Sequence, residues 1–292
     1  MTALSELSEA LGQTIAKAER SVVTLHPDRC SLTSGIAWSN DVVIAAAHAF
    51  RREEGLQATI SGKRVTATLI GLDMSSDLAA VRVEAQLEPL TAPEAHEVRT
   101  GELVVGLSAS PHGVRARLGM LSCAGGEWRL PGGARLERYL ESDLAPAPGV
   151  SGGPLLRASG EWIGVNTAGL LRGQLLALPV ASVRGIMACL LAHGRVRRAQ
   201  LGVGVQPVEL QPAGARVPRP ALMVLSLKQG SAAAEAGVLQ GDVLLALGGT
   251  RLERVEDLQG VLADDQAARR VSLELVRAGA PLTLPVLLPA RP

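Results

Sequence analysis

Residues 149–154 have the sequence GVSGGP, which places Ser151 on a glycine-bracketed turn. Glycine tolerates positive φ and has no Cβ, so the backbone N–H groups of such a turn can converge near the serine hydroxyl. A serine nucleophile needs such donors, together with a base and a group that orients the base. Glycine–serine turns are also common in ordinary loops, so this segment alone leaves both interpretations open.

Two upstream segments supply candidates for the base and the orienting acid. The apolar run 42–47 ends at His48, and Asp77 directly precedes the apolar run 78–81. Taken singly, a histidine at a strand end is usually structural and an aspartate before a strand is usually a turn residue. Together the three residues follow the order His48, Asp77, Ser151, which is the chymotrypsin order of a Ser-His-Asp triad.

Composition limits the remaining classes of function. The 292 residues are 47% hydrophobic and 20% charged, which suits two folded domains, and a net charge of +1 predicts no nucleic-acid partner. Cys30, Cys123 and Cys189 form no C-x-x-C pair, so no metal or other cofactor is expected and the thiols are best interpreted as idle.

The pattern of short apolar runs predicts a mainly β chain with helices at defined points. We expect an amphipathic helix within residues 1–20 and short strands without a long helix over 21–182. A second helix with its stop at Gly194 is expected within 183–197. Residues 198–290 predict a separate α+β module with helices at 232–236 and 255–262.

Six segments, taken in order, resemble the HtrA (Deg) family of trypsin-like serine proteases. That resemblance implies a chymotrypsin-like domain of two six-stranded β-barrels over 21–182, followed by one PDZ domain over 198–290. The segments are IAAAHAF (44–50), SSDLAAVRV (75–83), APAPGVSGGPLLRASGEWIGVNTAG (145–169), GQLLALPVASV (173–183), AHGRVRRAQLGVGVQ (192–206) and GSAAAEAGVLQGDVLLALGGTRLERVEDL (230–258).

The resemblance also implies roles for individual residues. Ser151 is expected as the nucleophile, His48 as the general base and Asp77 as the group that orients the imidazole. The backbone N–H groups of Gly149 and Ser151 are expected to form the oxyanion hole. Val150 departs from the family, which usually has Asn there, and we expect this change to affect loop packing.

Further expectations concern substrate recognition. Leu175, Leu176 and Ala177 would line an uncharged pocket that favours small or aliphatic residues before the cleaved bond, because a buried Lys or Arg would lack a partner. In the PDZ domain, Leu258 and Leu262 would line an apolar pocket, although both also suit a plain core role. The loop expected to hold a peptide carboxylate is Gln200, Leu201, Gly202 and Val203.

The sequence also supports hypotheses about regulation and assembly. Arg129 and Arg135 of the loop 128–135 are hypothesised to donate to carbonyls of residues 146–148 and so to hold the oxyanion turn; both also suit solvated loop charges. The family resemblance implies a homotrimer, yet the first helix lacks the aromatic residues that often build that contact.

The sequence therefore predicts a serine endopeptidase of protein quality control. It would act on unfolded or damaged polypeptides and bind peptide C-termini at the PDZ domain. A catalytically silent scaffold acting through its PDZ domain is the alternative, and an α/β-hydrolase is disfavoured because it needs the order Ser, Asp, His. No apolar run is long enough for a signal peptide or a membrane span. We expect a cytoplasmic protein if the sequence is complete, and a periplasmic or otherwise extracytoplasmic one if it is processed.

Overall fold

The computed structural model describes residues 2–28, 30–52, 55–91, 97–130, 134–171, 173–196, 201–211, 218–263 and 268–288. The described residues up to Val196, apart from Ala134, form one compact unit, and those from Leu201 onward belong to a second. None of the described helices is long and apolar enough to cross a membrane.

The first unit begins with an amphipathic helix, α1 (Ala3–Ala18). The Thr2 side chain caps it by accepting a hydrogen bond from the Ser5 N–H. Thr14 donates to the Ala158 carbonyl at 3.3 Å, which ties the helix to the rest of the unit. Leu4 and Leu7 nevertheless remain 76% and 39% exposed, so the apolar face of α1 is only partly covered.

Six antiparallel strands close the first barrel in the order β1-β2-β3-β6-β5-β4. Alternate residues face inward: Val23 and Leu25 of β1 are buried in the core, whereas Val22, Thr24 and His26 are only half-buried. The strands are β1 (Val22–His26), β2 (Thr33–Ala37), β3 (Val42–Ala46), β4 (Gln57–Ile60), β5 (Lys63–Asp73) and β6 (Leu78–Val83).

A second barrel closes in the order β11-β14-β13-β12-β7-β8, so the predicted mainly β double-barrel fold is confirmed. A short hairpin, β9 with β10, lies between its second and third strands. The elements are β7 (Leu103–Ser110), β8 (Gly113–Ala124), β9 (Trp128–Arg129), β10 (Arg135–Leu136), β11 (Leu140–Ser142), β12 (Pro154–Arg157), β13 (Trp162–Thr167) and β14 (Leu176–Pro179).

The second long helix, α2 (Val180–His193), begins three residues before the predicted start at 183 and ends before 197. Pro179 is its N-cap. Proline has no N–H to donate within a sheet, which ends β14, and its fixed φ suits the start of a helix. The end comes at Gly194, whose φ of 68° is left-handed and whose N–H donates to the Leu190 carbonyl. The helix packs within the first unit, on β5, β6 and β13.

The second unit contains a sheet in the order β15-β16-β17-β19-β20, with β18 paired to β17. Among the described residues, β15 therefore has no strand partner along its other edge. The elements are β15 (Val203–Leu210), β16 (Arg219–Leu227), α3 (Ala232–Glu235), β17 (Val243–Leu247), β18 (Thr250–Arg251), α4 (Val255–Ala263), β19 (Arg269–Arg277) and β20 (Ala280–Leu288).

Candidate active site

The first barrel brings His48 and Asp77 together. His48 lies in a short 3₁₀ turn that directly follows β3, and Asp77 directly precedes β6, the neighbour of β3. The His48 Nδ1 atom is 2.7 Å from Asp77 Oδ2, and the His48 backbone N–H donates to Asp77 Oδ1 at 2.8 Å. Because the ring and the backbone N–H of His48 both contact one carboxylate, the imidazole is held with its Nε2 atom directed away from Asp77.

The conformation of Asp77 is held by the loop before it. Asp77 has a φ of 57°, an uncommon left-handed value for a residue with a side chain, and is only 2% exposed. Asp73 accepts hydrogen bonds from the hydroxyl and N–H groups of both Ser75 and Ser76. This Asx-type cradle fixes the hairpin loop that ends at Asp77.

A residue of the second barrel completes the aspartate's surroundings. Thr167, at the end of β13, donates its hydroxyl to Asp77 Oδ2 and accepts from the Gly169 N–H at 3.0 Å. The burial of Asp77 is thus compensated by hydrogen bonds on both carboxylate oxygens, as a buried charge requires.

The hydrogen bond to Asp77 raises the pKa of His48 above its usual value of 6.5. Partial burial of the ring opposes that rise, and the charge of Asp77 adds to it. His48 stays accessible, with 43% of its side chain exposed. The imidazole is therefore a strengthened base that still faces solvent, as proton transfer to and from a substrate demands.

Ser151 follows a tight turn of defined type. The Val150 N–H donates to the Ala147 carbonyl at 3.1 Å, and the third turn residue, Gly149, has a φ of 82°. Together with Pro148 at the second position, these features define a type II turn. Among the described residues, no protein acceptor takes the N–H of Gly149 or of Ser151, which leaves both available to an oxyanion.

The turn is fastened to both barrels. Ser34 of β2 donates its hydroxyl to the Gly149 carbonyl and accepts from the Ala109 N–H at 2.7 Å. Thr33 donates its hydroxyl to the Ser151 carbonyl at 3.2 Å. These contacts fix the peptides around Ser151, so the geometry of the turn depends on β2 as well as on its own sequence.

The Ser151 hydroxyl itself points toward the end of β13. Its Oγ accepts a hydrogen bond from the Ala168 N–H at 3.1 Å, and within the described residues it has no hydrogen bond to His48. Catalytic hydrogen bonds are often long or poorly aligned when no substrate is bound.

The predicted pocket wall is apolar and closed in. Leu175, Leu176 and Ala177 are each 2% exposed, and Leu175 and Ala177 belong to the same core cluster as Val150. Strand β14, which contains Leu176 and Ala177, pairs with β13. Ala177 lies opposite Asn166, and Leu176 lies opposite Thr167. Val150 therefore packs into the barrel core, where the Asn usual in the family would have to bury an amide.

The PDZ residues selected from the sequence lie around the free edge of β15. Leu201 is buried, Gly202 has a φ of 79°, and Val203 begins β15. Leu258 of α4 is buried and Leu262 half-buried, both against the core that contains Leu201. Gln200 lies outside the described residues.

The two arginines selected as regulators differ from expectation. Arg135 donates to Glu127 rather than to residues 146–148, and it pairs with Arg129 in the β9–β10 hairpin. The hairpin is also better packed than its sequence indicated, because Leu130 is fully buried. The donor to the segment before the turn is Arg117 of β8, which bonds the Ala145 carbonyl at 3.2 Å. Arg135 makes its contact with Glu127 instead, and the regulatory hypothesis stays a prediction for both Arg129 and Arg135.

Sequence reasoning missed Asp73, Thr167, Ser34 and Arg117. Asp73 had a usable signal, because an aspartate followed by serines two and three residues later is typical of an Asx turn. The other three act across strands or barrels, and no local pattern marks such contacts.

Comparisons with known proteins agree with this architecture. Residues 33–165 match the family model of a trypsin-like peptidase domain, and residues 199–288 match that of a PDZ domain. The probable periplasmic serine endoprotease DegP-like of Chlamydia trachomatis is 30% identical over 266 residues, which cover 87% of this chain and 53% of that protein. The periplasmic pH-dependent serine endoprotease DegQ of Escherichia coli is 30% identical over 264 residues, covering 86% and 57%. The chain spans about half the length of the curated relatives it matches.

Solved structures match along almost the whole chain. The serine endoprotease from Yersinia pestis superposes with a TM-score of 0.76 at 22% identity, covering 97% of this chain and 98% of that one. The HtrA-type protease AlgW with decapeptide gives a TM-score of 0.75 at 22% identity, covering 97% and 99%. With two β-barrels, a peptidase-domain match, a PDZ-domain match and these relatives in agreement, the chain belongs to the HtrA (Deg) family of trypsin-like serine proteases.

Proposed function

We propose that this chain is a serine endopeptidase that cleaves unfolded or damaged polypeptides. The observation that carries the proposal is the pairing of His48 with the buried Asp77 in a fold that also holds Ser151 directly after a type II turn. His48 would take the proton from the Ser151 hydroxyl as Oγ attacks the peptide carbonyl, and would then return it to the leaving amine. Asp77 would steady the imidazolium, and the N–H groups of Gly149 and Ser151 would stabilise the oxyanion.

Labelling of Ser151 with a fluorophosphonate probe tests this function directly. We expect labelling and casein cleavage by the native chain, and neither by the matched variant Ser151→Ala. Labelling abolished by His48→Ala would show that the hydroxyl is activated by its base. A native chain that neither reacts with the probe nor cuts casein would favour the alternative, a silent scaffold acting through its PDZ domain.

The substrate preference follows from the pocket wall. Leu175, Leu176 and Ala177 are apolar and offer no charge to a substrate side chain, so the residue before the cut is proposed to be Val, Ala, Ile or Leu. Mapping the cuts in casein by mass spectrometry checks this preference, and a majority of cuts after Lys or Arg would contradict it.

The PDZ domain is proposed to bind C-terminal peptides as an added strand. The free edge of β15 supplies main-chain partners, and the turn at Leu201 and Gly202 stands at the start of that edge to receive a carboxylate. Amidating an apolar C-terminal peptide should weaken its binding clearly, because the carboxylate is lost. Equal affinity of acid and amide would argue for another binding mode.

The first helix and the named relatives bear on assembly and location. The exposed apolar residues Leu4 and Leu7 of α1 support self-association, for which we propose a homotrimer. Sedimentation equilibrium of the native chain and of Leu4→Glu distinguishes a trimer from a monomer. The relatives named periplasmic support an extracytoplasmic location, whereas they give the cytoplasmic alternative no support.

A further inference from the structure

A groove of about 880 Å³ runs along the outer face of β1 in the first unit. The half-buried side chains of Val22, Thr24 and His26 form its floor. The β4–β5 turn and the β7–β8 turn line its sides, so both barrels contribute to it. None of these residues has a part in the triad or in the pocket of Leu175 and Ala177.

The groove begins at the oxyanion turn. Leu32, one of its lining residues, packs so closely on Gly149 that a Cβ there would lie 3.2 Å from the Leu32 Cδ1 atom. The same Cβ would lie 2.7 Å from the carbonyl oxygen of Ala109, and the next residue, Ser110, lines the groove. The two barrels therefore meet at Gly149, and the groove leads away from that point.

On its other side, Ser151 contacts the segment next to the proposed pocket. Its Oγ bonds the Ala168 N–H, and Ala168 packs on the apolar cluster of Leu175 and Ala177. A Cβ on Gly169 would lie 2.6 Å from His48 Nδ1. A substrate whose residue before the cut lies on this side of Ser151 would continue, after the cut, past Gly149 and Leu32.

The near part of the groove is cationic. Arg64 lies opposite Thr59 in the β4–β5 pair, and Thr59 hydrogen-bonds His26 Nε2 at 2.9 Å. Burial, followed by the charge of Arg64, lowers the pKa of His26, so its ring is neutral at neutral pH. Arg64 donates to Gln57, and among the described residues it has no carboxylate partner. At the far end, Arg20 is 4.0 Å from Glu88, so a carboxylate already lies beside it.

We propose that this groove binds the part of a polypeptide substrate that follows the cleaved bond, and that Arg64 selects an acidic side chain there. The inference rests on the proposed endopeptidase function and extends it to the other side of the bond. Leu32 precedes β2, and Arg64 on β5 lies three strand spacings of about 4.8 Å away in the order β2-β1-β4-β5. An extended chain advances about 3.3 Å per residue, so the acidic residue would stand within roughly five residues after the cut. The Thr59 hydroxyl, which bonds His26 Nε2, has a lone pair left to accept a backbone N–H of that segment.

Two internally quenched peptides test the groove. They share one sequence up to and including the cleaved bond, end in amides that the PDZ domain should not capture, and carry Glu or Lys two to five residues after the bond. The native chain should cleave the Glu peptide with a kcat/KM roughly fivefold higher, the scale of one exposed ion pair. Arg64→Glu should reverse the preference, whereas Arg82→Glu, on the same barrel outside the groove, should keep it.

A p-nitroanilide substrate, which has no residues after the bond, separates the groove from the catalytic machinery. Arg64→Glu should hydrolyse it at the native rate, and a lower rate would overturn the assignment of Arg64 to this side of the bond. Equal kcat/KM for the two peptides in an active, probe-labelled protein would overturn this inference alone. A protein that is neither labelled nor active would overturn the proposed function and this inference with it.

Discussion

Thr167 donates its hydroxyl to Oδ2 of Asp77, the carboxylate oxygen that lies 2.7 Å from His48 Nδ1. One residue of the second barrel thus shares an acceptor with the histidine of the first. Because Thr167 is 1% exposed, no water can easily replace its hydroxyl.

Removing this hydroxyl should impair catalysis more than folding. Thr167→Val keeps the shape but leaves the Gly169 N–H and one side of the carboxylate unpaired, so we expect kcat to fall roughly tenfold, the scale of about 1.4 kcal/mol. Thr167→Ser, which keeps the hydroxyl, should retain most of the rate. Steady-state kinetics on a short peptide checks the pair, and native kcat in Thr167→Val would show that this contact is only structural.

The pH dependence of activity should report His48. Only the neutral imidazole can accept the Ser151 proton, and the hydrogen bond to Asp77 raises the pKa of His48 above 6.5. The acidic limb of kcat/KM should therefore have its midpoint above pH 6.5. NMR titration of Ser151→Ala should show the raised pKa, and adding Asp77→Asn should lower it; an unchanged value would exclude Asp77 as the cause.

The same shift has a consequence for stability with a defined sign. A pKa raised on folding means that the folded state binds the proton more tightly. The stabilisation from the His48–Asp77 pair is therefore complete below pH 6.5 and is lost as the pH rises through the folded-state pKa.

Asp73 should act as a positioning residue for Asp77. Asp73→Ala removes the acceptors for Ser75 and Ser76, so the left-handed conformation of Asp77 loses its support. We expect kcat to fall about tenfold, since small displacements of a catalytic group have large effects, while KM changes little. Asp41→Ala, which removes an exposed carboxylate from the same barrel, is the control. Equal kcat in the two variants would contradict this role.

Peptide binding should depend on the left-handed conformation of Gly202. A Cβ at Gly202 would lie 2.2 Å from the Ser231 Cβ, whereas Gly237 has a similar φ of 83° and open space around it. Gly237→Ala should therefore cost only the left-handed strain of about 1 kcal/mol. Gly202→Ala should add a clash and weaken C-terminal peptide binding. Thermal unfolding and peptide titration measure both effects, and equal affinity in the two variants would separate Gly202 from the peptide site.

Arg117 should support the segment that leads into the oxyanion turn. Its guanidinium donates to the Ala145 carbonyl, two residues before the turn begins at Ala147. We expect Arg117→Ala to lower kcat a few-fold, on the scale of one hydrogen bond to a charged group, and Arg135→Ala, which breaks only the pair with Glu127, to leave it unchanged. The reverse result, measured with the same peptide, would support the hypothesis that Arg135 helps to hold the oxyanion turn.

The sequence by itself predicted a mainly β chain and the order of His48, Asp77 and Ser151, while its resemblance to the HtrA (Deg) family implied the double barrel and the PDZ domain. Alternation along strands, turn residues and short motifs are local, so each can be recognised without knowing what packs against it. Glycine at position 194 likewise marked the end of α2 correctly, because a left-handed C-cap is a local requirement.

Only the tertiary structure decided which groups hold the triad and where a substrate can run. Thr167 is 90 residues from Asp77, and Ser34 is 115 residues from Gly149, yet each forms a hydrogen bond to it. The groove along β1 exists because a turn of each barrel stands beside the same strand. Such contacts depend on how the two barrels close and pack. A local sequence pattern does not reveal which distant residues this packing brings together.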